Sequence, residues 1–368
     1  MNTAAKNLLR LLGASALVLL TAAALNFAVD PLQLFGPARI LPAMYSPDSR
    51  MQNAGLIQSQ NFDTVFMGTS LAIHFRQSDI DRLLGVKSLK LAMTGSNSRE
   101  QSFVLAAALA RGGKRVIWQV DDWIFRDAPE IDRDIYLPAD LYRGNARGIA
   151  GYLLSGAMAR ESAWILARSI QPLAPVVARL TSGLVFSFLL PRVDDINTLG
   201  SDVDIADAYN AARTQAAFAS ITAPGSRKYL AEGYDYAAMV RNFERDAVDL
   251  IAGHPDVRFD IYLPPYSILQ WVAMRDASAS TLKIVYDFTA YAAQRLTQLP
   301  NARLHDFRAV RDVTHDLNNY GDVIHHSPVV DLKVLSWLAA GSYLVDRAAP
   351  TATLDLLKTQ VEAYRVER

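Results

Sequence analysis

Three side chains in this sequence have the types needed for acyl-group chemistry. Ser70 lies in the run Gly68-Thr69-Ser70-Leu71, and Asp322 and His325 lie in Asp322-Val323-Ile324-His325. A serine hydroxyl becomes a nucleophile when an imidazole takes its proton, and the imidazole needs a third group to fix its tautomer. Asp322 stands three residues before His325, so one short turn presents both side chains together. The developing oxyanion then needs preorganised donors. The backbone N–H groups of Ser70 and Gly95, with the Asn97 side chain as a third, are assigned to that task. Asp121 is assigned to a substrate hydroxyl, and His326 to shaping the loop or touching a substrate. Each also has an ordinary alternative: a turn serine, a helix cap, a packed histidine.

These residues are informative because of the elements they follow. Asp63–Met67, Ser88–Ala92, Val116–Val120, Val257–Leu263 and Ala302–Phe307 are short apolar runs that predict buried strands. Helical patterns lie between them, at Ser98–Ala110, Met239–Ala252 and Ala279–Leu296, with Ser78 as the cap of a helix through Leu84. Helices are also expected at Val329–Ala340 and Leu354–Arg365. Strands that alternate with helices imply a parallel sheet covered on both faces. In such sheets ligands bind beyond the carboxyl ends of the strands, where Ser70, Gly95, Asp121 and the Asp322–His325 loop all fall. From about residue 126 to 233 the alternation stops. A helical insertion is expected there, with a strongly apolar stretch from Pro172 to Leu190.

The N-terminus carries a different signal. Leu11 to Val29 has no charge, Lys6 and Arg10 precede it, and Asp30 and Pro31 end it. About 20 apolar residues suffice to cross the hydrocarbon core as a helix, and basic residues on the N-terminal flank hold that flank in the cytoplasm. Residues 1–30 are therefore expected to be a signal anchor, and residues 31–368 an extracytoplasmic α/β domain in or beyond the inner membrane, on the periplasmic side. A cleaved signal peptide is the competing reading, since Ala22-Ala23-Ala24 supplies small residues. The stretch from Pro31 to Leu56 is expected to be irregular.

The motifs resemble the SGNH/GDSL hydrolase superfamily. Gly68-Thr69-Ser70-Leu71 stands where that family has Gly-Asp-Ser-Leu, Gly95 at the glycine of its second block, and Asp322-Val-Ile-His325 at its terminal Asp-x-x-His. Ser327-Pro328 after the histidine is similar to the membrane-anchored, exported members that accompany polysaccharide O-acetylation, such as alginate O-acetyltransferase components. The resemblance implies a three-layer α/β/α flavodoxin-like domain with a five-stranded parallel sheet. It implies a serine esterase or O-acyltransferase acting on cell-envelope or exported polysaccharide. The alternative is a non-catalytic glycan-binding or assembly partner of a membrane-bound O-acyltransferase. The third strand ends Gln119-Val120-Asp121-Asp122, where typical members have Gly-x-Asn-Asp.

Composition narrows the rest. The 368 residues carry 37 basic and 37 acidic side chains, without the basic excess expected of a nucleic-acid binder. The chain has no cysteine, which removes thiol catalysis, disulfides and cysteine-ligated metals. No His-x-Glu or His-x-x-x-His cluster points to a metal, and no glycine loop between a strand and a helix points to a phosphate cofactor. The expected partners are an acylated or carbohydrate substrate and the membrane.

Overall fold

The computed structural model describes residues 2–36, 48–126, 137–169, 208–226 and 230–366. The apolar stretch Pro172–Leu190, and with it much of the expected insertion, lies outside the described residues. The chain divides into two compact units: Met1–Asn61 with Tyr136–Ile196, and Phe62–Ile135 with Asn197–Arg368.

The first unit is helical. Thr3–Val29 is one helix, long and apolar enough to cross a membrane by length and composition. Most of it is bare, with Leu8, Leu12, Leu17 and Leu20 all more than half exposed. One side chain near its C-terminal end is not. Asn26 is fully buried, and its amide donates to the carbonyls of Leu153 (2.9 Å) and Ser155 (3.2 Å). The Asn26 carbonyl accepts from the Ser162 hydroxyl at 2.9 Å. Asp30 caps the helix in the left-handed region and accepts from the Leu34 and Phe35 N–H groups and the Tyr152 hydroxyl. The region expected to be irregular contains a helix, Ser49–Ser59, started by the Asp48 side chain. Its Gly55 lets the helix meet Leu32, since a Cβ there would fall 1.9 Å from the Leu32 carbonyl oxygen.

The second unit is α/β. Its strands are β1 (Thr64–Met67), β2 (Ser88–Lys90), β3 (Arg115–Gln119), β4 (Arg258–Leu263) and β5 (Ala302–Asp306). All neighbours are parallel, in the order β2-β1-β3-β4-β5, with Val65 level with Leu89 and Val116, and Ile261 level with Trp118 and Leu304. Both faces are buried. Phe66, Ile117 and Tyr262 pack under the helices Gln77–Leu84 and Pro328–Ala340. On the opposite face, Trp118 donates from its indole N–H to Gln101 on the helix Ser98–Leu109. Near-continuous apolar strands are what two covered faces require. Ser78 lies inside its helix, and Arg76 takes the cap position instead. The pattern around Met239–Ala252 is Tyr236–Phe243, a wide turn at Glu244–Val248, and Asp249–Ala252.

The strand order reverses between β1 and β3. At that switch point two loops leave the sheet in opposite directions and open a crevice. Ser70 follows β1 and Asp121 follows β3, so both lie at this crevice.

Candidate active site

β1 ends at Met67, and the chain turns through Gly68 and Thr69 into a short 3-10 turn, Ser70–Ala72. Gly68 is required by space. A Cβ there would lie 2.6 Å from Gln119 Oε1 and 2.7 Å from Ala72 Cβ. The Ser70 Oγ lies 2.9 Å from His325 Nε2, and His325 Nδ1 lies 2.6 Å from Asp322 Oδ2. With the Nδ1 proton donated to the carboxylate, Nε2 accepts from the serine hydroxyl. Asp322 Oδ1 accepts from the backbone N–H groups of Ile324 (2.8 Å) and His325 (2.7 Å), which fixes the carboxylate on its own loop. Asp322, His325 and Ser70 thus form one hydrogen-bonded line, with His325 joined to a serine 255 residues away.

Charge on the pair is mutually supported. Burial works to raise the Asp322 carboxyl, but the His325 N–H bond and the imidazolium charge hold it below the usual carboxylate value. Burial works to lower His325, and the Asp322 bond and charge lift it above 6.5. His74 sits beside them, with its ring 6.4 Å from that of His325. Burial and the neighbouring His326, His325 and Lys90 push His74 down to about 4, so it is neutral at pH 7.

The other assigned residues fall in several places. Gly95 has φ 62°, a left-handed turn that suits glycine. Met93, two residues earlier, donates to the Gly68 carbonyl at 2.9 Å, so the Gly95 turn leaves the sheet beside the Ser70 turn. Ser96 bonds Met93 O, and Gln101 bonds Ser96, which anchors that turn from below. Among the described residues, neither the Ser70 nor the Gly95 backbone N–H has a hydrogen-bond partner. Asn97 caps the helix Ser98–Leu109: its side chain accepts from the Glu100 N–H, and Glu100 accepts from the Asn97 N–H. The capping box gives Asn97 a structural role of its own.

Asp121 is 1% exposed, and its carboxylate is turned into the protein rather than toward a ligand. Oδ2 accepts from the Thr69 hydroxyl at 2.8 Å, and Oδ1 accepts from the Tyr266 hydroxyl. Burial raises its pKa, against the Tyr266 and Thr69 bonds. Gln119 completes the clamp by accepting from the Thr69 N–H at 2.9 Å. The end of β3 therefore grips the loop that carries Ser70. His326 is equally enclosed, at 1% exposure, with Nδ1 3.0 Å from Asp331 and its ring edge-on to Phe75. A substrate contact by His326 is incompatible with that burial; it packs the loop. The roles of Thr69, Gln119 and Tyr266 are not visible from spacing, although each follows or ends a strand.

Next to Asp322 lies a cavity of about 260 Å³. Asp122, Trp123, Tyr234 and Gln270 line it, and Tyr266 closes it toward Asp121. Burial and the charge of Asp121 push Asp122 up to about 6. Trp271 is fully buried beneath Arg308. Arg308 itself is held by Asp306 at 2.6 Å, an enclosed pair beneath the site.

Among the described residues no group of three or more His, Asp or Glu side chains is placed to hold a metal. No protein-family model matches this chain, and no curated protein matches it.

Proposed function

We propose that this chain is a membrane-anchored serine esterase or O-acyltransferase of the SGNH/GDSL type, acting outside the cytoplasm on cell-envelope or exported polysaccharide. The observation that carries the catalytic part is the line Ser70–His325–Asp322, with 2.9 and 2.6 Å links, at the switch point of a parallel sheet. The β2-β1-β3-β4-β5 order is that of flavodoxin-like folds, which supports the family resemblance of the Gly-x-Ser-Leu and Asp-x-x-His runs. Fold alone does not determine function, so the reading rests on the side chains.

In this reading Ser70 Oγ attacks an ester carbonyl carbon while its proton passes to His325 Nε2. Asp322 stabilises the imidazolium that forms. The Ser70 and Gly95 N–H groups receive the oxyanion. Collapse breaks the bond to the leaving alcohol, which takes the proton from Nε2, and an acyl-serine remains. Water or a sugar hydroxyl then gives its proton to His325, attacks the acyl carbon and releases Ser70.

The anchor reading is supported by Asn26. A cleavage after Ala28 would remove Asn26, whose side-chain amide and carbonyl are built into the first unit. We therefore infer that the helix is retained, with Lys6 and Arg10 on the cytoplasmic side.

A second reading has one observation in its favour. The residue at the end of β3 is an acceptor, Asp121, fully occupied by two hydroxyl donors, so that position supplies no donor to an oxyanion. On this reading the protein binds glycan or a membrane-bound O-acyltransferase without catalysis. Treatment of the full chain in detergent with a fluorophosphonate probe and an aryl acetate separates the two. Labelling and turnover that vanish in Ser70→Ala support the enzyme; absence of both from pH 5 to 9 supports the binding protein.

A further inference from the structure

Ser70, His74 and Phe75 share the loop that follows β1, and His325 and His326 share the loop that leads into the helix Pro328–Ala340. The two loops meet ring to ring. His74 lies edge-on to His325, with ring centres 6.4 Å apart and planes at 61°. The next residue, Phe75, lies edge-on to His326 at 6.2 Å and 86°. Two consecutive rings of the serine loop therefore face two consecutive rings of the base loop. The outer pair is fixed from behind. Phe75 is 1% exposed and packs on Phe66 of β1, with ring centres 4.9 Å apart, and His326 is seated against the buried Asp331.

The backbone on both sides of His74 is pinned as well. The 3-10 turn ends at Ala72 and the next helix starts at Gln77, so the carbonyls of Ile73 and Phe75 take no helical N–H. Lys90 of β2 serves both. Its ammonium donates to the Ile73 carbonyl at 2.7 Å and to the Phe75 carbonyl at 2.7 Å. Lys90 is 4% exposed, and a buried ammonium is costly unless it is hydrogen-bonded. Here the two bonds bracket a single residue, His74.

His74 has the features of a wall rather than of a ligand. Its Nδ1 is buried and has no hydrogen-bond partner among the described residues. Burial and the neighbouring His326, His325 and Lys90 bring its pKa down to about 4, against the opposing charge of Asp322, so the ring is neutral where Ser70 can react. A cation at this place would oppose the imidazolium that forms on His325. The His325 ring needs such a wall. Its bonds to Asp322 and Ser70 run from Nδ1 and Nε2 and restrain it least against tilting about the line between them, and its side chain is 31% exposed.

We propose that His74 is a positioning residue for the base of the Ser70 centre: its ring, braced by Lys90 through two backbone carbonyls, stands edge-on to His325 and holds that imidazole in line with the serine. The proposal rests on the reading of Ser70 as a nucleophile. The ring edge performs this role, not the ring nitrogens, so another aromatic ring of similar size can take it over.

The test follows fluorophosphonate labelling of Ser70 in the full chain in detergent, as a rate constant at each pH from 5 to 9. The labelled fraction at completion reports the folded share. His74→Ala is expected to slow labelling by roughly ten- to a hundredfold, as displacement of a catalytic group does. It also admits water to an imidazole whose burial works to lower its pKa, so the acidic limb moves to higher pH. Partial unfolding would lower the labelled fraction without moving that limb. His74→Phe restores the ring edge and is expected to label at close to the wild-type rate, with the limb in place. Lys90→Met is expected to slow labelling, and to add little in a chain that already carries His74→Ala, since both act through one contact. A His74→Ala chain that labels like wild type, or a His74→Phe chain as slow as His74→Ala, overturns the proposal. Full additivity of Lys90→Met overturns the brace, and the two His74 variants remain decisive if Lys90→Met does not fold. If the wild-type chain is not labelled, the nucleophile reading fails by itself, and the His325 titration followed by NMR takes over. A His325 pKa higher in His74→Ala and unchanged in His74→Phe then supports the wall, and equal values in all three chains overturn it.

Discussion

The hydroxyl of Thr69 donates to the Asp121 carboxylate at 2.8 Å, and this bond ties the end of β1 to the end of β3 one residue before the serine. Two loops that leave the sheet in different directions are thereby locked at their closest point. The Gln119 side chain takes the Thr69 N–H at the same place. The position of Ser70 Oγ against His325 then depends on three residues that touch neither the imidazole nor the serine side chain. Thr69→Val keeps the shape and leaves a buried carboxylate oxygen without its donor. The expected cost is about 1–3 kcal/mol of stability, measured by urea unfolding, with slower fluorophosphonate labelling of Ser70. Asp121→Asn separates clamp from charge. The Asp121 charge raises His325, so its removal is expected to shift the acidic limb of the labelling profile to lower pH. A purely mechanical clamp would slow labelling without moving that limb.

The pH dependence of the centre follows from the Asp322–His325 pair. His325 must be neutral to accept the serine proton, and its pKa is held above 6.5. Acylation is therefore expected to rise with pH through an apparent pKa above 6.5. In Asp322→Asn the limb moves down, because the charge that raised His325 is gone, and the rate falls by roughly 10³–10⁴.

The same pair makes a stability prediction with a definite sign. A raised His325 contributes stability that is complete below 6.5 and lost as pH rises through its folded value. A lowered Asp322 contributes stability present above 3.8 and lost as pH falls through its folded value. The pair is most stabilising where both are charged. Asp322→Asn is expected to destabilise the chain more at pH 5 than at pH 8, read from urea midpoints at the two pH values. Equal losses at both would show that the ion pair contributes nothing beyond its hydrogen bonds.

Gly68→Ala tests the packing under Ser70. The new methyl would meet Gln119 and Ala72 at contacts no pair of carbon and oxygen atoms tolerates. Overpacking of this kind costs about 1–3 kcal/mol. The relief is a shift of the Gly68–Ser70 turn or of Gln119, and either loosens the Thr69 clamp. Loss of Ser70 labelling beyond the loss expected from unfolding is the predicted result.

Asn26 tests the fate of the N-terminal helix. The intact mass of chain extracted from membranes is expected to include residues 1–30. Asn26→Leu preserves the apolar run for targeting but strands the Ser162 hydroxyl and the carbonyls of Leu153 and Ser155. A loss of about 1–3 kcal/mol is expected from thermal or urea unfolding in detergent. A mature chain that begins after residue 24, with unaltered stability in the variant, would refute the retained anchor.

Much of this protein is determined by local pattern. Short apolar runs set the five strands, because a strand covered on both faces must be apolar throughout. The Asp322–His325 spacing brings carboxylate and imidazole together within one turn, and Ser70 stands directly after the first strand, where a parallel sheet opens its crevice. What tertiary structure alone decided is which partners the remaining polar groups take. Asp121 bonds Thr69 and Tyr266 instead of a ligand, and His326 lies buried on Asp331. Asn26, one of few polar residues in an apolar helix, finds partners more than 120 residues away. The cavity beside Asp322 is assembled from segments around residues 122, 221, 234, 270 and 322. Periodicity reports whether a side chain faces a core. Only packing brings distant segments close enough to determine which donor meets which acceptor, and at this site those pairings separate a residue that binds from one that holds.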